Sequence, residues 1–303
     1  MGIPWKEERA RPWIAAALAG LCFLAPIGGR ASGGGAATPA AVAMISYAGK
    51  GSPPKVYKSA GLWLTLSTGE DGEGVYHAVL TIRGPSAQVF KALGPRNADG
   101  NAKFSVLRLD PGITTPQIVF TSYTGGAHCC IQVDILSFDG LRWRQVDAGA
   151  SNSGILGLST RGGSGSPALV FGDDRFLYAF ASYADSRSPI RVFSFRGGAL
   201  IDVSQAWRYK PMYLAEMDEL RGECEQHGNG ACAAYVADAA RAGRFKEAWA
   251  VMLPSYDRTS QVFPASCGVA EVQGSCPKGR EHKFPSYPEA LAWFLAATGY
   301  KQP

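Results

Sequence analysis

Leu80-Thr81-Ile82-Arg83-Gly84, Leu136-Ser137-Phe138-Asp139-Gly140 and Phe193-Ser194-Phe195-Arg196-Gly197 are one pattern written three times, at offsets of 56 and 57 residues. In each, apolar side chains alternate with Thr or Ser, the period of two that sends successive side chains to opposite faces of a strand. A charged residue and a glycine then close the pattern, a hairpin turn signal. Another apolar strand follows each time, around Val89-Phe90, Val146 and Ile201-Val203. Upstream, Pro116-Gln117-Ile118-Val119-Phe120 matches Pro167-Ala168-Leu169-Val170-Phe171, and Ser122-Tyr123 matches Ser182-Tyr183. Each unit therefore holds about four strands. The expectation is a mainly β fold of repeated four-stranded antiparallel units.

Outward from this core the same texture runs over residues 44–205, as short β-branched and aromatic runs broken by Gly, Pro, Asp and Ser. Leu62-Trp63-Leu64-Thr65-Leu66 and Phe104-Ser105-Val106-Leu107-Arg108-Leu109 are examples. From residue 211 the period lengthens. Leu214, Met217, Leu220 and Cys224 share a helical face, and Cys232, Tyr235, Val236, Ala239 and Ala240 make the next one after a turn at His227–Gly230. Ser286-Tyr287-Pro288-Glu289 reads as a capping box, with Leu291, Phe294 and Leu295 behind it and Gly299 as the stop. The expected division is a leader at 1–31, a linker at 32–43, a β-repeat domain at 44–205 and a small helical C-terminal domain at 206–303.

Residues 60–205 resemble degenerate β-propeller-like repeats of the FG-GAP/VCBS type found in secreted bacterial proteins. Such repeats bind calcium through an Asp-rich loop after the first strand. The matching places here read Asp110-Pro111-Gly112 and Ser159-Thr160-Arg161-Gly162, which lack that ligand set, so no calcium is expected. Three units do not close a ring, which leaves an open propeller-like arrangement or a sandwich.

The first residues read as an export signal. Lys6, Arg9 and Arg11 precede an uncharged stretch from Trp13 to Ala25, and Gly29-Arg30-Ala31 offers small residues for cleavage. Glu7 and Glu8 are unusual in such a leader, and Ala41-Val42-Ala43 is a rival cleavage site. The expected location is periplasmic or secreted, with no membrane association after cleavage. The whole chain of 303 residues carries a formal charge of +5. Four basic and two acidic residues lie in the leader, so the remainder carries +3. That balance gives no electrostatic case for nucleic acid.

Without Cys22 the chain holds six cysteines, an even number that in an exported protein reads as disulfides. Spacing favours Cys224–Cys232 and Cys267–Cys276, leaving Cys129 and Cys130 to each other or unpaired. These two close the chemically unusual segment, Thr124-Gly125-Gly126-Ala127-His128-Cys129-Cys130. A structural disulfide is one reading of it. A soft-metal site of His128 with thiolates and a redox-active pair are the others.

Hydrolase signals fail on inspection. Gly162-Gly163-Ser164-Gly165-Ser166 lacks the final glycine of a nucleophile elbow, and two prolines in Ser52-Pro53-Pro54-Lys55 prevent the helix a Ser-x-x-Lys pair needs. Asp173 and Asp174 are adjacent, which sets their carboxylates apart in a strand. The reading is an exported, non-catalytic binding or accessory protein without cofactor or metal, acting on a protein or small-molecule partner. Its candidate functional loop is Gly125, Gly126, His128, Cys129 and Cys130, and its candidate ligand-binding aromatics are Trp63, Tyr123, Trp143 and Tyr183. The alternative is a thiol-redox or soft-metal-handling protein using the His128-Cys129-Cys130 loop.

Overall fold

The computed structural model describes residues 43–84, 88–126, 129–161, 166–226, 228–264, 266–267 and 276–300. The expected leader, nearly all of the expected linker, His128, His227 and Gly162–Gly165 lie outside the described residues.

Three antiparallel sheets follow one another along the chain. The first has the order β2 (Lys55–Ser59), β3 (Leu62–Glu70), β4 (Tyr76–Arg83), β5 (Phe90–Leu93). The second runs β6 (Ala102–Leu107), β7 (Gln117–Tyr123), β8 (Ile131–Phe138), β9 (Trp143–Ser151), with β1 (Ile45–Tyr47) added at the β6 edge. The third runs β10 (Ile155–Ser159), β11 (Ala168–Gly172), β12 (Ile190–Arg196), β13 (Ala199–Asp202). Each pentapeptide that sets the sequence pattern ends the third strand of its sheet: β4, β8 and β12. Gly84, Gly140 and Gly197 all take positive φ, the conformation that turns demand and side chains resist.

The sheets stack face to face, and the alternation of side chains shows how. Leu62, Leu64, Leu66, Leu80 and Ile82 of the first sheet meet Phe104, Ile118, Phe120, Leu136 and Phe138 of the second. The opposite face of the second sheet sends Val119, Val133 and Ile135 against Leu169, Phe171 and Phe195 of the third. Because β7 is buried on both faces, its sequence has no polar alternation. In β3 buried Leu62, Leu64 and Leu66 alternate with more exposed residues, since one face meets solvent.

The remaining face of the third sheet, with Ala168, Val170, Ile190 and Val192, shares a core with the helices. These are α1 (Lys210–Glu225), α2 (Asn229–Ala242), α3 (Phe245–Ser255) and α4 (Tyr287–Ala297). The helical segment is thus a fourth layer on the sheets. Helix α2 is buried almost all round, because alanines at half of its positions let neighbours approach from every side. It begins at Asn229, earlier than the expected turn would allow. Ser286 does precede α4, but its hydroxyl donates to the Glu289 carboxylate at 3.1 Å and makes no bond to the helix backbone. The structure pairs Cys224 with Cys232, joining the end of α1 to α2, and Cys267 of β14 (Ser266–Cys267) with Cys276. β14 pairs with β15 (Glu281–His282). No described helix is long and apolar enough to cross a membrane.

Candidate functional site

The segment between β7 and β8 is a seven-residue connection whose two ends are bonded to each other. Thr124 clamps Cys130: its N–H donates to the Cys130 carbonyl at 2.9 Å, and its hydroxyl accepts from the Cys130 N–H at 2.9 Å. A side chain at Gly126 would run into the carbonyl of Cys129, so only glycine lets the chain double back this closely. Gly125 has φ of +88° and rests against Asn97, whose side-chain amide donates to the Tyr123 carbonyl at 2.7 Å. The two glycines are therefore what build the loop. At its end Cys129 and Cys130 are joined to each other, with Cys129 exposed and Cys130 half-buried. Cys129 and Cys130 do not titrate in this state.

Beside the loop, on the second sheet, lies a groove of about 380 Å³ lined by Tyr47, Lys103, Thr121, Ser122, Tyr123 and Ile131, among others. The Tyr123 hydroxyl donates to the Gly126 carbonyl, so the groove's aromatic wall is tied to the loop. Ser122 carries a buried hydroxyl with no hydrogen-bond partner among the described residues.

The other three candidate aromatics are elsewhere. Trp143 was expected on a loop or edge, but it is only 5% exposed and packs between the first two sheets against Phe90 and Phe138. Its indole N–H donates to the Gly84 carbonyl at 3.0 Å, so neither ring nor donor is open to a ligand. Tyr183 lies within the long connection between β11 and β12, stacked near Tyr178 and donating to Asn152. That connection spans residues 173–189, longer than the cysteine loop, so Ser182-Tyr183 is not the strand end that its match to Ser122-Tyr123 implies. Trp63 is 51% exposed on the outer face of the first sheet. The structure brings only Tyr123 to the cysteine loop.

Two features escape a reading of the sequence. At the opposite end of the second sheet is a larger cavity of about 750 Å³, formed by the loop Gly112–Thr115 and the hairpin turns at Asp139-Gly140 and Gly197-Gly198. Buried Gln117 holds its border, accepting from the Leu109 and Asp110 N–H groups at 2.8 and 2.9 Å. Asp110 in turn accepts from the Gly112 and Gly197 N–H groups, joining the second sheet to the third. The turn dipeptides were visible in the sequence; their convergence was not.

The second feature is a buried polar network under the helices. Asp173 accepts from Arg175 and from the Tyr300 hydroxyl. Asp238 of α2 accepts from the Ile190 N–H at 3.3 Å, while its other oxygen has no partner among the described residues. Burial pushes the Asp238 carboxyl well above the usual range, and nearby Glu216 adds to the shift. Asp173 and Asp174 both border a cleft of about 200 Å³, and the Asp174 carboxyl is also raised, by burial first, against the Asn152 N–H that lowers it.

Among the described residues no group of three His, Cys, Asp or Glu is placed to hold a metal ion. What the cysteine loop offers chemically is a joined sulfur pair, exposed at Cys129, next to an aromatic-walled groove.

A family model, the sll0997 C-terminal domain, matches residues 211–299, which contain most of the helical layer. The uncharacterized protein y4bJ of Sinorhizobium fredii is 31% identical over 262 residues, covering 84% of this chain and 41% of y4bJ. The probable thylakoid lumen protein sll0997 of Synechocystis is 30% identical over 238 residues, covering 76% of this chain and 70% of the relative. The chain thus spans about two fifths of the length of y4bJ. No solved structure matches.

Proposed function

Because this chain belongs to the family of the Synechocystis protein sll0997, we propose that it is exported and acts, without catalysis, as a binding or accessory protein whose recognition site is the Cys129–Cys130 loop with its groove. The relative's name supports export, since a thylakoid lumen is reached only by crossing a membrane. For this chain the corresponding location is the periplasm or the exterior, which suits three oxidised cysteine pairs.

The observation that carries the site is the tie from the Tyr123 hydroxyl to the Gly126 carbonyl, which joins the groove's aromatic wall to the loop. A pre-formed concavity with an aromatic wall and a few hydroxyls is how small-molecule sites are built. The partner is a protein or a small molecule and not nucleic acid, because neither the groove nor the loop carries a basic track.

A saturation-transfer NMR screen of monosaccharides, amino acids and nucleosides tests this. At least one class is expected to bind unchanged in composition, and to lose its signal with Tyr123→Ala and with Cys129→Ala/Cys130→Ala. Conversion of a compound, or binding indifferent to both variants, counts against it. The exposure of Cys129 favours a second reading, thiol–disulfide exchange. In that case a small thiol such as reduced glutathione forms a mixed disulfide at Cys129 in native protein, detectable by intact mass.

A further inference from the structure

The first sheet is the outermost of the three, so one face packs on the second sheet and no described residue packs on the other. The outward positions alternate with the buried leucines, and across four strands none of them is Asp or Glu. Three of them are permanent cations: Lys58 on β2, Arg83 on β4 and Lys91 on β5, all exposed. Register sets them out. Lys58, Trp63 and Arg83 are directly opposed in one cross-strand row, and Val56, Thr65, Thr81 and Lys91 form the next row. With strands about 4.8 Å apart, Lys58 and Arg83 stand about 10 Å from each other across Trp63. The Lys58 ammonium lies 3.6 Å over the Trp63 ring.

We propose that this face binds a linear anionic polysaccharide. The charge is one-signed, while the whole chain is only weakly basic, so the positive field is concentrated here. The cations run from β2 to β5 and form a track across the sheet, which suits a polymer with regularly placed carboxylates. Trp63 presents a flat ring to the C–H face of a sugar, and a carboxylate drawing Lys58 aside uncovers it. Thr65 and Thr81, at the middle of the face, supply hydroxyls to hydroxyls. Val56 on β2 and Leu93 on β5 are also exposed on this face, but they lie on its two opposite edge strands and not together as the inserting apolar face a bilayer surface takes up. A protein partner would call for pockets for side-chain anchors, and the outward residues of this sheet line none of the three cavities described.

The test is native affinity electrophoresis of the whole protein in gels containing polygalacturonate, with dextran gels as the neutral comparison. The expected result is retardation in polygalacturonate alone, diminishing as salt is raised. Lys58→Gln/Arg83→Gln/Lys91→Gln is expected to weaken it by about tenfold. The equally charged Lys246→Gln/Lys278→Gln/Lys283→Gln is expected to retain it. Trp63→Ala is expected to weaken it at constant charge, and all the positions are exposed enough to leave the fold intact. Absence of retardation, equal loss in both triple variants, or indifference to Trp63→Ala overturns the proposal. Flotation with phosphatidylglycerol vesicles in place of polysaccharide binding overturns it too, in favour of a membrane surface. This face is independent of the cysteine loop, so the outcome does not bear on that site.

Discussion

Tyr300, beyond α4, donates its hydroxyl to the buried carboxylate of Asp173, 127 residues earlier, at 3.0 Å. The bond ties the last described turn of the chain to the end of β11, and the Arg241 guanidinium lies 4.3 Å from the same tyrosine ring. Sheet and helices are joined here by polar groups, as they are again where Asp238 accepts from the Ile190 N–H, within a largely apolar core. Tyr300→Phe keeps the packing and removes the donor, so it is expected to cost about 1–3 kcal/mol, because a buried carboxylate loses a partner. Chemical denaturation measures it; an unchanged midpoint means the helical layer is held by apolar contact alone.

Asp238 gives a pH dependence with a definite sign. Its carboxyl is raised in the folded protein, chiefly by burial, so the native state holds the proton more tightly than the unfolded chain. The stabilisation is full below the unfolded value of about 3.9 and is lost as pH rises through the raised folded value. Asp238→Asn keeps an oxygen for the Ile190 N–H and does not ionise. The stability of the native protein relative to this variant is expected to fall as pH rises above about 4, until the folded carboxyl has ionised. Parallel stability curves for the two proteins contradict the assignment.

The two tryptophans first considered for binding have opposite fates on truncation. Trp143→Ala opens a cavity between the first two sheets and is expected to cost about 3–5 kcal/mol. Trp63→Ala removes an exposed ring and is expected to change stability by less than about 0.5 kcal/mol. Thermal melts of the two variants side by side check this; similar melting points refute the layer order.

Cys224 and Cys232 are both fully buried, and their bond closes a short loop between α1 and α2. Replacing both with Ala is expected to cost about 2–4 kcal/mol by freeing the unfolded chain. An unaltered unfolding curve means the pair contributes nothing beyond its packing.

The parts of this fold that were legible in the sequence are those where one face meets water. Leu62, Leu64 and Leu66 alternate with Trp63 and Thr65 because β3 has a wet side, and the turns after β4, β8 and β12 need glycine. The illegible parts are buried all round. Cys232, Tyr235, Val236, Ala239 and Ala240 give helix α2 one readable apolar face but no sign that nearly every other residue is enclosed too, and Asp238 within it gives no local hint of its partner at Ile190. The cysteine loop was visible as chemistry, in a glycine pair beside two sulfurs. The groove next to it was not, since Tyr47, Lys103 and Tyr123 meet only through strand pairing between β1, β6 and β7. Trp143 misled because the sequence places it just after a turn, and nothing local reveals that the first sheet covers it.

The central claim is that recognition belongs to the groove beside Cys129–Cys130, and soaking crystals of the protein with a library of small polar fragments addresses it most directly. Fragments are expected to gather between Tyr47, Lys103, Thr121, Tyr123 and Ile131, against the paired sulfurs. Fragments that leave this groove empty and settle in the larger cavity between Gly112–Thr115, Asp139-Gly140 and Gly197-Gly198 contradict it.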